Sequence, residues 1–209
     1  DLRSSETVRG AMRGIQSVIH MAALLRNNPP GEIHKTNVEA TRLLVEEALK
    51  NKIKKFIFIS TENALREDLR DAYASSKREA ESVVASFPGS LIFRPCFVYG
   101  DGDTHGLGRL VDLVKKYPVL PRFGQLHSQI QPLFIDDMVT YLIRALEMDL
   151  KGTYLLGGPD RIGLNDFMQK VAQILGKKRF FLTIPHSVLS WTAAVGDAIM
   201  PSAGWGQVQ

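Results

Sequence analysis

The run Phe56-Ile57-Phe58-Ile59, set between Lys54-Lys55 and Ser60-Thr61, constrains the fold more than any other stretch. A strand with one wet face alternates apolar and polar residues, whereas four apolar residues in succession need cover on both faces. Residues 16–23 (Gln-Ser-Val-Ile-His-Met-Ala-Ala) and Leu91-Ile92-Phe93-Arg94 read the same way. Helical patterns separate them. Pro29-Pro30 opens one from about Gly31 to Lys50, with Ile33, Val38, Leu43, Leu44, Val45 and Leu49 at its apolar positions. Another carries Tyr73 and runs through Val83-Val84-Ala85. Strands alternating with helices in this manner predict an α/β fold with a doubly wound parallel sheet.

The rest of the chain is less regular. Ser4 and Ser5 are candidate caps for a short helix through Val8 and Met12, ending at Gly14. A glycine-rich loop spans Gly100 to Gly108, followed by a helix from Leu110 to Tyr117. Residues 131–135 read as a strand running into a helix begun at Asp136-Asp137, and Thr153–Leu156 as another strand. A helix from Asn165 or Asp166 to Gly176, a strand at Phe180–Ile184 and a helix from Pro185 complete the reading. The expected domains are 1–108, a partial cofactor-binding domain, and 109–209, a smaller α+β lobe for substrate with some segments returning to the main sheet.

At 209 residues and 44% apolar composition the chain has enough material for a sizeable core. A net charge of +4 without a basic block argues against nucleic acid as a partner. No apolar run reaches spanning length, and the single cysteine, Cys96, excludes an internal disulfide. The expected location is the cytoplasm or another reducing compartment such as an organelle matrix. Of the five histidines, His20 reads as a satisfied strand residue and His105, His127 and His186 are scattered without ligand spacing, so no metal site is expected.

Tyr73 and Lys77 stand four residues apart and share one helix face. A phenol titrates near 10 and exchanges protons poorly at neutral pH, but an ammonium nearby favours the phenolate. Such a pair can move a proton to or from a carbonyl or hydroxyl. A surface pair at helical spacing is the structural alternative. Ala22-Ala23, Ser60-Thr61 and Arg94-Pro95 all close predicted parallel strands, where ligands of open α/β sheets bind. Each has a plain alternative as a strand end, cap or turn.

In order along the chain, Asp1-Leu2-Arg3, Val18-Ile19-His20-Met21-Ala22-Ala23, Asn37-Val38-Glu39-Ala40-Thr41, Phe56-Ile57-Phe58-Ile59-Ser60-Thr61, Tyr73-x-x-x-Lys77 and Arg94-Pro95-x-x-Val98-Tyr99-Gly100 resemble the extended and atypical short-chain dehydrogenases/reductases. That group includes the nucleotide-sugar epimerases and dehydratases. Residues 131–137 and 154–159 look nearest to the branch of the 39-kilodalton NAD(P)H-binding subunit of respiratory complex I. The resemblance implies a Rossmann-like sheet and NAD or NADP as cofactor. It assigns Tyr73 as general acid/base, Lys77 as the group that lowers its pKa and holds the nicotinamide ribose, and Thr61 as the contact to the substrate oxygen. Ala22, Ala23 and Ser60 would line the cofactor, Pro95 and Phe97 would flank the nicotinamide, and Asp1-Leu2 would lie by the adenine. Asn37 would stand behind the site and support a proton path.

Two features depart from the family pattern. No glycine cluster follows a strand and opens a helix, as the pyrophosphate turn requires. The expectation is therefore that the natural protein extends upstream by about 50 to 60 residues. Gln131-Pro132 also stands where many sugar-nucleotide enzymes carry an arginine. The expected function is an NAD(P)-dependent oxidoreductase or epimerase acting on a secondary alcohol or ketone, a nucleotide sugar among the candidates. The alternative is a non-catalytic NAD(P)H-binding structural or assembly protein. The expected partners are a small-molecule substrate and a second copy of the chain, or a larger complex under the alternative.

Overall fold

The structure, a computed structural model, describes residues 1–68, 71–103, 106–123 and 129–184. It opens on α1 (Ser5–Ala11), whose cap Ser4 accepts a hydrogen bond from the Thr7 amide at 3.4 Å. After β1 (Ser17–His20), the single helix expected to residue 50 folds in three parts: α2 (Pro30–His34), a π-helical turn (Lys35–Glu39) and α3 (Ala40–Lys50). Then come β2 (Lys55–Ile59), a 3₁₀ turn (Glu62–Leu65), α4 (Ala72–Ala85) and β3 (Leu91–Pro95). The second half supplies β4 (Val98–Tyr99), α5 (Leu107–Lys116), β5 (Val119–Phe123), β6 (Gln129–Ile130), β7 (Leu133–Phe134), α6 (Ile135–Glu147) and β8 (Gly152–Leu156). β9 (Ile162–Gly163), α7 (Leu164–Ile174) and β10 (Phe180–Ile184) follow. The helix expected from Pro185, with His186, lies outside the described residues, as do His105 and His127.

The main sheet has the order β1-β2-β3-β8 with every pair parallel, in register Val18↔Phe56, Phe58↔Ile92 and Phe93↔Tyr154. Phe56, Phe58 and Ile92 share a core with Val45 and Ala48 of α3, Ala80 and Val84 of α4, Val8 of α1 and Met12 just after it. Ile57 and Leu91, pointing the other way, are just as fully buried, as an unbroken apolar run requires. Burial of each large side chain contributes about 1.5–3 kcal/mol. The Lys55 ammonium caps the end of α6, donating to the carbonyl of Ala145 at 2.6 Å and to that of Met148.

The chain packs as two compact units, Asp1–Pro95 with Val139–Leu156, and Cys96–Met138 with the chain from Gly157 onward. The sequence places the boundary after residue 108. The packing divides at Pro95 because β4, the next strand, pairs with β7 and leaves the main sheet. In the second unit Leu107, Leu110 and Val114 of α5 pack against Leu120 of β5 and against Leu164 and Met168 of α7. The small sheets there pair β5 with β10 and β4 with β7 in parallel, and β6 with β9 antiparallel.

Candidate active site

The first unit holds the Tyr73–Lys77 helix against the end of β2. Asp71 caps α4, its two carboxylate oxygens accepting from the amides of Tyr73 and Ala74, each at 3.2 Å. The next turn brings Lys77 inward. Its side chain is 1% exposed, donates from Nζ to the Ile59 carbonyl at 2.6 Å, and lies 3.9 Å from the Phe58 ring centre. This contact joins α4 to the strand that continues into Ser60-Thr61. Burial pulls Lys77 down to about 7, against the opposing pull of Glu81. Glu81 is itself held by Arg94, which makes a forked pair with it at 2.9 and 2.5 Å.

The resemblance implies that Lys77 lowers the pKa of the phenol. In the structure that pull comes from Arg26, since the Lys77 ammonium is turned to Ile59 and Phe58. Arg26 pairs with the Asp71 carboxylate at 2.8 Å, and its guanidinium carbon stands 6.0 Å from the Tyr73 ring centre. Burial raises the Tyr73 pKa above 10, Arg26 draws it back, and Asp71 adds to the rise. Nothing in the sequence singles out Arg26, a lone cation in the loop after β1.

Asn37, in the π-helical turn, ties that loop to α4. Its Oδ1 accepts from the Leu24 amide at 2.7 Å, and its Nδ2 donates to the Leu24 carbonyl at 3.0 Å and to Ser76 Oγ at 2.9 Å. Ser76 Oγ in turn donates a hydrogen bond to the Tyr73 carbonyl at 2.8 Å. His20 completes the buried polar layer. Thr41 donates to the Asn37 carbonyl at 2.7 Å, so the contact at 2.8 Å has His20 Nε2–H as donor to the Thr41 hydroxyl. Burial, then the Lys77 charge, lowers His20 to about 4, leaving it neutral at physiological pH.

The other expected positions divide. Thr61 caps the 3₁₀ turn, accepting from the Asn63 amide at 3.3 Å. The buried Ser60 hydroxyl has no hydrogen-bond partner, an arrangement that costs about 1–3 kcal/mol. Ala22 is exposed and Ala23 half-buried at the end of β1, between the exposed Met21 and Leu25. Asp1 is engaged by Arg3 at 2.9 Å, and Leu2 packs at the margin of the first core. Pro95 is buried opposite Leu156, at the end of the first unit. Phe97 belongs to the second unit, where its ring packs on that core and its carbonyl accepts from the Leu133 amide at 2.8 Å. Gln131, in the same unit, donates to the Gly158 carbonyl at 2.6 Å and occupies the space a side chain at Gly157 would need.

The match to known proteins follows this geometry. The profile of the NAD dependent epimerase/dehydratase family covers residues 1–157. The chain belongs to that family. It is 29% identical over 201 residues to a ceramide reductase of Caulobacter vibrioides, covering 95% of this chain and 62% of that protein. It is 28% identical over 120 residues to the mitochondrial NADH dehydrogenase [ubiquinone] 1 alpha subcomplex subunit 9 of Arabidopsis thaliana, covering 56% of this chain and 30% of that one. The chain thus spans less than two thirds of the length of either relative. A dTDP-4-dehydrorhamnose reductase of Bacillus anthracis, solved with NADP, shares the fold at a TM-score of 0.78 and 17% identity, over 90% of this chain and 73% of that one.

Proteins of this family and fold bind NAD or NADP. The residues at the β2 end suit such a group: an unpartnered buried hydroxyl at Ser60, a buried ammonium at Lys77, and exposed alanine at the neighbouring strand end. Among the described residues no cluster of His, Cys, Asp and Glu could hold a metal ion, and no helix is long and apolar enough to cross a membrane.

Proposed function

We propose that the protein carrying this chain is an NAD(P)-dependent oxidoreductase acting on a secondary alcohol or ketone, with Tyr73 as its proton carrier. The observation that carries this reading is the Lys77–Ile59 hydrogen bond at 2.6 Å, which fixes the tyrosine helix against the strand end bearing Ser60 and Thr61. Tyr73 Oη protonates the substrate oxygen in reduction and takes the hydroxyl proton in oxidation. Thr61 orients that oxygen, and Arg26 with Asp71 holds the phenol end of the helix in place. Ser60, Lys77, Ala22 and Ala23 would hold the cofactor, Pro95 would flank its nicotinamide, and Asp1-Leu2 would lie by its adenine. The nicotinamide, when bound, supplies or accepts the hydride.

Among substrates, a lipid ketone or alcohol fits better than a nucleotide sugar. Gln131 stands where an arginine would meet a sugar-nucleotide phosphate, and its amide is engaged by Gly158. The ceramide reductase, a relative named for a lipid, supports the same class. A reducing compartment, as Cys96 implies, belongs with this reading.

The test is transfer of deuterium from C4-labelled NADH or NADPH into the product alcohol, using the protein expressed from its complete gene and panels of long-chain ketones and 4-keto nucleotide sugars. Label in a long-chain alcohol supports the proposal, and label in a sugar moves the substrate class. The similarity to the Arabidopsis complex I subunit supports a second reading, a structural or assembly protein. Tight cofactor binding with no label in any product favours that one.

A further inference from the structure

The second unit carries a basic and apolar face that the chemistry above does not use. Residues 114–122 (Val-Lys-Lys-Tyr-Pro-Val-Leu-Pro-Arg) and 174–182 (Ile-Leu-Gly-Lys-Lys-Arg-Phe-Phe-Leu) hold Lys115, Lys116, Arg122, Lys177, Lys178 and Arg179, and no Asp or Glu. The two segments lie side by side. β5 and β10 pair in register Phe180↔Val119 and Leu182↔Pro121, and the Phe180 amide donates to the Pro118 carbonyl at 3.0 Å. Lys177 and Arg179 reach the end of α5, donating to the Lys115 carbonyl at 2.8 Å and the Val114 carbonyl at 2.7 Å. The nearest acid in sequence, Asp112, stands 3.5 Å from Lys115.

Alternation along the strands separates the two faces. Leu120 and Phe181 pack toward the core, whereas Phe180 is 73% exposed, Leu182 65% and Val119 53%. Ile174, at the end of α7, is 77% exposed and Tyr117 46%. A cleft of about 320 Å³ lies on the core side of β10, lined by Gln169, Ala172, Gln173, Lys177, Arg179 and Phe181, and is not part of this face.

We propose that this face docks on an anionic lipid surface, inserting Phe180 and Leu182 among the acyl chains while Lys116 and Lys178 meet headgroup phosphates. Apolar side chains ringed by Lys and Arg have the composition of an interfacial membrane contact. Charge selects the occupant. A two-fold contact with a second copy would set like charges against each other, and the cores of protein interfaces are depleted in lysine. Nucleic acid would meet the cations but leave the aliphatic side chains without a partner.

The test is sedimentation of the protein expressed from its complete gene with phosphatidylcholine vesicles, with and without about 30% phosphatidylglycerol. Binding is expected only with the anionic lipid. Lys116→Glu with Lys178→Glu is expected to weaken it by at least about tenfold, since each cation at an anionic surface is worth roughly fivefold. Phe180→Ser with Leu182→Ser is expected to weaken it as well at unchanged charge, with circular dichroism confirming that every variant is folded. Absence of binding by folded wild type, or binding indifferent to both double substitutions, overturns the proposal. So does equal affinity for a single-stranded oligonucleotide, or a self-association that the Phe180/Leu182 variant abolishes. Neither arm requires turnover, so the result is independent of the proposed activity.

Discussion

The first unit buries polar side chains, while the second turns apolar ones outward. In the first, Lys77, Asn37, His20, Ser60 and Glu81 are all buried; His20 and Asn37 are linked through Thr41, while Lys77 bonds to Ile59 and Glu81 to Arg94. In the second, Phe180, Leu182 and Ile174 are exposed beside a run of cations. Both arrangements oppose ordinary burial preferences. Departures of that kind carry information about function because stability alone does not select them. Under the proposed function the buried polar groups serve proton transfer, and under the proposed docking the exposed apolar face serves association.

The contrast is sharpest under paired substitutions. Phe56→Ala in the first core is expected to lower stability by about 3–5 kcal/mol, whereas Phe180→Ser on the second unit's outer face should change it by less than about 0.5 kcal/mol. Denaturant unfolding followed by circular dichroism measures both. A large loss at Phe180 would show that the residue serves packing. Glu81→Gln comes next. It removes the counter-charge of Arg94 and should destabilise by about 2 kcal/mol, below the roughly 3–5 of a fully buried pair because Arg94 reaches solvent and the amide oxygen still accepts. It should also lower the Lys77 pKa further, a shift readable by NMR of the labelled ammonium.

A pH series separates the units without substitution. Folded Lys77 releases its proton near pH 7, while the unfolded chain holds it to about 10.5. Between those values the unfolded state binds more protons, so stability should rise with pH by up to about 1.4 kcal/mol per unit. His20, lowered to about 4 from 6.5, acts with the same sign at lower pH, stability falling as pH drops through that window. Lys77→Met should flatten the upper rise, and an unchanged slope would place the proton elsewhere. Ser60→Ala is the smallest effect. With no partner to lose, stability should stay level or gain up to about 1 kcal/mol, while cofactor affinity in the complete protein falls.

The sheet was legible because unbroken apolar strands have one physical solution, and the Tyr73–Lys77 helix because its spacing and start are local. The π-helical turn at Lys35–Glu39 was not legible, since its apolar positions continue those of an ordinary helix. β5 carries Pro121, a residue unfavourable within a strand, and β4, β6 and β9 are two residues each. In the site, the positions of Thr61, Tyr73 and Lys77 followed from motif spacing. The Arg26–Asp71 pair did not, because it joins a loop to a helix 45 positions on, and only folding brings the two together.

Proton transfer by Tyr73 is tested most directly by Tyr73→Phe in the protein expressed from its complete gene. The substitution keeps the ring and removes the ionisable hydroxyl. Turnover with the substrate that accepts label is predicted to fall by roughly 10² to 10⁴ while the cofactor Kd changes little. Equal turnover in wild type and Tyr73→Phe would contradict the account and remove Tyr73 from the chemistry.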